Sequence, residues 1–152
     1  MNIAYYIDQI NQEEKTTELF NRMNEDITSG AIDNGSVFYK EVGPTNVQPK
    51  FGMFNSTDVW NFTGTLIATS METFLDAIKA VNKYSLAYLF YGDVNHDIFA
   101  LIGISKSTKI LTSTEQDQKE VYRITGVKPI LVKDVSPSNI QKAIEWKILS
   151  KE

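Results

Sequence analysis

Residues 65–91 read TLIATSMETFLDAIKAVNKYSLAYLFY, and this stretch decides the fold. It opens on a short apolar run, 65–68, and closes on 85–91 (SLAYLFY), which is apolar almost throughout. Between them Met71, Phe74, Leu75, Ile78 and Val81 recur at helical spacing and form one apolar stripe. Thr69 and Glu72 stand at the T-x-x-E spacing of a capping box, which predicts the helix start. A strand with no polar face must be covered on both sides, so 85–91 belongs at the centre of a parallel sheet. The unit is strand, helix, strand.

The same alternation extends outward. Residues 2–7 (NIAYYI) form another continuous apolar strand, and 8–11 are its polar exit. A helix over 13–27 places Leu19, Phe20, Met23 and Ile27 on one face, with Gly30 to end it. Asn34-Gly35 makes a tight turn before a strand over 36–42. Toward the C-terminus, 98–104 is too short to assign to either template, and 109–111 is a short strand. Ser113 and Gln116 again have capping-box spacing, before a helix that Gly126 closes. Residues 128–132 (KPILV) give the last strand, and Ser136-Pro137 opens a final helix carrying Ile140, Ala143, Ile144 and Ile148. Strands alternating with helices predict right-handed crossovers and a three-layer α/β Rossmann-like fold, with a mostly parallel sheet of 5–6 strands. No repeat or linker divides residues 1–152, which are expected to form a single domain.

Composition narrows the chemistry. The chain of 152 residues has no cysteine and one histidine, His96. Disulfides, thiolate nucleophiles and cysteine-ligated metals are excluded, and so are two-histidine metal sites. Nineteen acids against fifteen bases, with only two arginines, argue against a broad nucleic-acid surface. No basic, apolar leader precedes the first strand, and no apolar run approaches the roughly 20 residues of a membrane span. The expected setting is cytoplasmic, with no membrane association and no cofactor.

In open parallel sheets ligands bind beyond the carboxyl ends of the strands, where strand order reverses. That rule selects Asp8 and Asn11 after the first strand, and Thr69 and Ser70 before a helix. It also selects Asp93, Asn95 and His96 after the central strand, and Thr112 and Ser113 after the short one. The hydroxyl residues also serve simply as helix caps. Neither G-x-G-x-x-G nor G-x-x-x-x-G-K-[ST] occurs, and DQINQEE after the first strand offers no glycine for a phosphate loop. Asp93, Asn95 and Asp97 share the first spacings of a calcium loop, but Ile98 and Ile104 stand where it needs Gly and Glu. A looser reading makes Asp93 and Asn95 a divalent-metal pair with His96 as base; the alternative is a polar turn. No metal site is assigned.

The longest irregular stretch, 43–63, holds Phe51, Phe54, Trp60 and Phe62. Loops of this length in compact domains are functional or disordered, and disordered segments are poor in aromatics. Asn55, Asp58 and Trp60 are therefore candidates to stack on a sugar or base and hydrogen-bond its edges, or to contact a protein partner. The alternative is that the aromatics complete the core around a short strand near 51–54.

The segments IAYYID, DVWNFTGTLIATSMET, KYSLAYLFY and YRITGVKPILV resemble small Rossmann-like proteins of large tailed bacteriophages, related to the amino-terminal half of GT-B glycosyltransferases. None of these segments is a catalytic motif. The resemblance implies a glycosyltransferase-like domain that binds a sugar, nucleotide or nucleic-acid-derived ligand at the strand ends. GT-B enzymes hold the donor mainly in a second domain, so independent transferase activity is not expected of this half alone. A non-catalytic viral accessory protein that meets a host protein through 43–64, in the host cytoplasm, is the other expectation. A homo-oligomer covering the face that would meet a second domain accords with either.

Overall fold

The computed structural model describes residues 2–80, 84–91 and 98–150. Seven strands are present among them: β1 (Asn2–Gln9), β2 (Asn34–Glu41), β3 (Gly52–Asn55), β4 (Gly64–Ala68), β5 (Tyr84–Phe90), β6 (Lys109–Thr112) and β7 (Ile130–Leu131). They form one sheet in the order β3-β2-β1-β4-β5-β6-β7, with every pairing parallel. The expectation of five to six strands is corrected to seven. The addition is β3, four residues where the sequence left a short strand near 51–54 open, while the strand read over 128–132 shortens to the two residues of β7.

Among the described residues five α-helices cover the sheet: α1 (Glu14–Ser29), α2 (Met71–Ile78), α3 (Ile98–Ile104), α4 (Glu115–Thr125) and α5 (Pro137–Ser150). The segment 98–104, open between templates in the sequence, is helical. On one face Leu19, Phe20 and Met23 of α1 and Ile140 and Ile144 of α5 pack on Ile3, Tyr5, Ile7, Val37, Ile67 and Leu89. On the other, Met71 and Phe74 of α2, Leu101 of α3 and Val121 of α4 pack on Tyr88, Phe90 and Ile110. The continuous apolar strands are thus buried on both sides, as their composition requires.

Two crossovers lack an α-helix. Between β2 and β3 the chain crosses as an irregular segment clamped by Asn24, whose Nδ2 donates to Gln48 O at 2.9 Å and whose Oδ1 accepts from Lys50 N at 2.8 Å. Phe51 then seats against Phe20 with ring centroids 5.3 Å apart. Between β3 and β4 a short 3-10 helix (Ser56–Asn61) packs Val59 and the following Phe62 onto Tyr6, Phe38 and Leu66. Gly64 enters β4 at φ 130°, where a Cβ would lie 2.2 Å from Asn2 O. No larger residue fits that approach.

Both helix starts predicted from capping-box spacing lie one residue downstream. Ser70, not Thr69, caps α2: its Oγ accepts from Thr73 N at 3.1 Å, and Thr73 Oγ1 accepts from Ser70 N at 3.2 Å. Thr114, not Ser113, caps α4, accepting from Asp117 N at 3.1 Å. The cause is the sheet. Thr69 N still bonds Tyr6 O at 3.1 Å, and Thr112 still belongs to β6, so the chain leaves the ladder one residue later than the spacing implies. Ser136 caps α5 through Asn139 N as expected, and Gly30 and Gly126 close α1 and α4 in the left-handed conformation.

Candidate functional site

The order of the sheet places its topological switch between β1 and β4. From β1 the chain proceeds to β2 and β3 on one side, then returns to β4 and proceeds to β7 on the other. The connection after β1 leads to α1 on one face and that after β4 leads to α2 on the other, so the two loops part and leave a crevice. A cavity of about 150 Å³ occupies it.

Alternation along β1 distributes the polar exit. Tyr6 faces α2 and Ile7 faces α1, so Asp8 falls on the α2 side and Gln9 on the α1 side. Ser70, turning into α2, donates its hydroxyl to Asp8 Oδ1 at 2.9 Å while Oγ accepts from Thr73 N. The pair ties the end of β1 to the start of α2. Asn11 holds the opposite lip, its Oδ1 accepting from Glu13 N at 3.0 Å. Gly43 permits the loop after β2 to support this exit: a Cβ there would stand 2.3 Å from Ile10 O.

The first turn of α1 forms the floor. Thr16 and Leu19 are buried beneath Glu13 and Lys15, and all four line the cavity. Lys15 Nζ donates to Tyr91 O and stands 5.4 Å from the Tyr91 ring centroid, which fixes the ammonium at one end. Burial, and then the nearby charge of Glu18, push the Tyr91 phenol well above its ordinary range, so it stays neutral. Its Oη is buried without a hydrogen-bond partner among the described residues. Glu13, at the N-cap of α1, makes no side-chain cap bond, and Glu14 occupies the first turn. These carboxylates already occupy the positive end of the helix dipole.

Asp8, Asn11, Thr69 and Ser70 are brought together, as the strand-end rule expects. Thr112 and Ser113 are not: they end β6, three strands from β1, or about 14 Å at ordinary strand spacing. Thr112 is fully buried, with Oγ1 unpartnered among the described residues. Asn55 and Asp58 lie by the far edge strand, where Asn55 caps the 3-10 helix through Thr57 N at 3.1 Å. Asp58 borders a shallow cavity with Phe38, Phe54 and Phe62. Trp60 is 52% exposed and stands apart from both cavities, while Phe51 and Phe62 of the same loop complete the core. Asp93, Asn95 and His96 lie outside the described residues. Gln9, Glu13, Lys15, Thr16 and Tyr91 join the crevice without having been singled out as site residues. The strand-end position of Tyr91 was the one available signal for that residue.

Among the described residues no group of three His, Cys, Asp or Glu side chains is placed to hold a metal ion. No helix among them is long and apolar enough to cross a membrane. The strand order defines a doubly wound, Rossmann-like α/β sheet with a seventh strand added. No family model, curated protein or solved structure matches the chain at significant similarity.

Proposed function

We propose that the chain binds a neutral, hydroxyl-rich ligand, a sugar ring or the ribose of a nucleoside, in the crevice between β1 and β4. The observation that carries this reading is the polar set of the crevice: Asp8 held by Ser70, with Asn11, Glu13, Thr16 and Thr69 around one small cavity. Carboxylates and amides accept and donate to adjacent hydroxyls, and the Leu19 and Tyr91 side chains offer an apolar wall for a ring. Phosphate is disfavoured. Among the described residues two lining carboxylates outnumber the single ammonium, Lys15, which already serves Tyr91. The volume also falls below the roughly 300–1,000 Å³ of pockets for drug-sized ligands, so it admits one ring and not a dinucleotide.

Binding, rather than independent glycosyl transfer, is the activity we assign. Asp8 is exposed and accepts from the Ser70 hydroxyl at 2.9 Å. This suits it to orient a ligand hydroxyl, as in the acceptor half of a glycosyltransferase-like assembly. Thermal unfolding with monosaccharides, nucleosides and nucleoside diphosphates tests the reading. A ligand at a hundredfold excess over Kd stabilises by about 2.7 kcal/mol. A neutral sugar or nucleoside should raise the transition in the parent chain and not in Asp8→Ala. If no neutral compound moves it, or the shift survives Asp8→Ala, the reading fails.

A second reading, contact with a protein partner through the 43–64 loop, is favoured by Trp60 and Phe54, which stay exposed while the other aromatics of the loop are buried. Loss of partner capture in Trp60→Ala, with sugar binding intact, would support it; retention would refute it.

A further inference from the structure

α3 reads IFALIGI, seven residues without one polar side chain, and a helix apolar all round belongs in a core. Of the seven only Leu101 is buried, in the cluster that Phe74 of α2 and Val121 of α4 also join. Residues two positions either side of Leu101 turn about 200° from it, so Phe99 and Gly103 share the outward face. Phe99 is 85% exposed, Gly103 is exposed, and Ile98 and Ile102 beside them are nearly half exposed.

The apolar face continues onto α2. Met71 packs in the cluster with Leu101, whereas Ala77, on the other flank of α2, packs with Tyr6 and Phe38. Leu75 and Ile78 follow Met71 by four and seven residues, so they stand on the flank toward α3, and both are about half exposed. The five side chains together expose roughly 550 Å², and contiguous apolar patches beyond a few hundred Å² mark interaction sites. A standard interface covers roughly 800 Å² per partner and a homodimer contact is about 65% apolar, which makes roughly 520 Å². The exposed face is of that size.

The shape of α3 selects what covers it. A Cβ at Gly103 would meet nothing within 4 Å, so the helix carries a bare notch about 6 Å along its axis from Phe99. Knob and notch lie symmetrically about Leu101. A two-fold axis at that level sets two α3 helices antiparallel and brings each knob over the notch of the other. We propose that a second copy of this chain covers the α2–α3 face, with Phe99 of each copy seated on Gly103 of the other. A membrane surface is disfavoured, because it calls for Lys and Arg around the apolar face. α2 instead has two acids and no base, and α4 three acids and two bases. The contact is independent of the β1–β4 crevice and of the reading given for it.

Sedimentation equilibrium of the whole chain, from micromolar to several hundred micromolar, provides the test. The parent should pass from 17.2 kDa to twice that mass as its concentration rises. Phe99→Ser removes the knob and Gly103→Gln fills the notch, and each should weaken association by at least about tenfold. Gly103→Gln meets open space within its own protomer and puts a better helix former in α3, so the variant should fold as the parent does. Phe99→Ser should unfold with the parent at dilutions where both are monomeric. Tyr122 is exposed on the flank of α4 that carries Gln118, whose amide reaches Pro129 on the side away from α3, and Tyr122→Ser should associate as the parent does. A parent that stays at 17.2 kDa throughout, or association that survives either Phe99→Ser or Gly103→Gln, would overturn the proposal. So would a monomeric parent that binds phosphatidylcholine vesicles, which would assign the face to a bilayer.

Discussion

Ser70 and Thr69 are neighbours with the same chemistry, yet the structure assigns them unequal work. Ser70 Oγ accepts from Thr73 N at 3.1 Å and donates to Asp8 at 2.9 Å. Thr69 Oγ1 reaches Tyr6 O at 3.2 Å, a carbonyl that already receives Thr69 N at 3.1 Å. Removing an N-cap hydroxyl costs about 1 kcal/mol, within a range of about 0.5–2. α2 has only eight residues and cannot persist on propensity alone, so Ser70→Ala should fall in the upper half of that range, at about 1–2 kcal/mol. At about 2–4 °C per kcal/mol for a chain of this length, the melting temperature should fall by about 2–8 °C. Thr69→Ala deletes a surplus bond to a satisfied acceptor and should cost about 0.5 kcal/mol or less. Glu72→Ala removes a pair with Lys40 at 3.2 Å in which the glutamate is 70% exposed, and should also cost less than about 0.5 kcal/mol. Urea unfolding of the three variants alongside the parent measures all of this. If Thr69→Ala or Glu72→Ala costs as much as Ser70→Ala, the cap is the T-x-x-E pair and the assignment is wrong.

Asp26 is buried on α1, and its carboxylate accepts from Ser138 N at 2.8 Å at the start of α5; Asp26→Ala should lose about 1–2 kcal/mol in chemical denaturation. Phe74 is 1% exposed and Phe99 85% exposed, so Phe74→Ala should cost about 3–5 kcal/mol while Phe99→Ser changes stability by less than about 0.5. Burial, and then the charge of Asp76, push the Tyr84 phenol up to about 12, and burial raises Tyr5, Tyr6 and Tyr91 as well. A folded pKa above the unfolded value of about 10 contributes stability that is complete below pH 10 and is lost as pH rises through the folded value. Unfolding free energy should therefore hold up to about pH 10 and fall from there toward pH 12, with a shallower fall in Tyr84→Phe.

The centre of the fold was legible because its strands are buried on both faces, and such burial leaves a continuous apolar run. NIAYYI and SLAYLFY could hardly be read otherwise. The periphery was legible only in part: the strand read over 128–132 shortens to the two residues of β7, and α3 is a seven-residue helix apolar on nearly every position, with no polar stripe to show its period. The caps were misplaced by one residue at both Thr69 and Ser113, because local spacing does not record how far a neighbouring strand extends the ladder. The site followed the same division. That Asp8, Asn11, Thr69 and Ser70 line one crevice was legible because strand ends and the switch point follow from topology. Lys15 and Thr16 were not singled out because their place depends on how α1 is rotated against the sheet, while Tyr91, immediately after β5, had only its strand-end position as a signal. In the aromatic loop the reading that the aromatics complete the core around a short strand holds for Phe51 and Phe62, which serve crossovers built without an α-helix.

The central claim is that the β1–β4 crevice receives a neutral polyol and not a phosphate. Chemical-shift mapping of the whole chain with a monosaccharide and nucleoside series, and with inorganic phosphate as comparison, measures it most directly. The account predicts saturable shifts confined to residues 8–19, 69–71 and 91 with a neutral compound, and none there with phosphate. Shifts in those residues with phosphate, or no response there to any neutral compound at millimolar concentration, would contradict it.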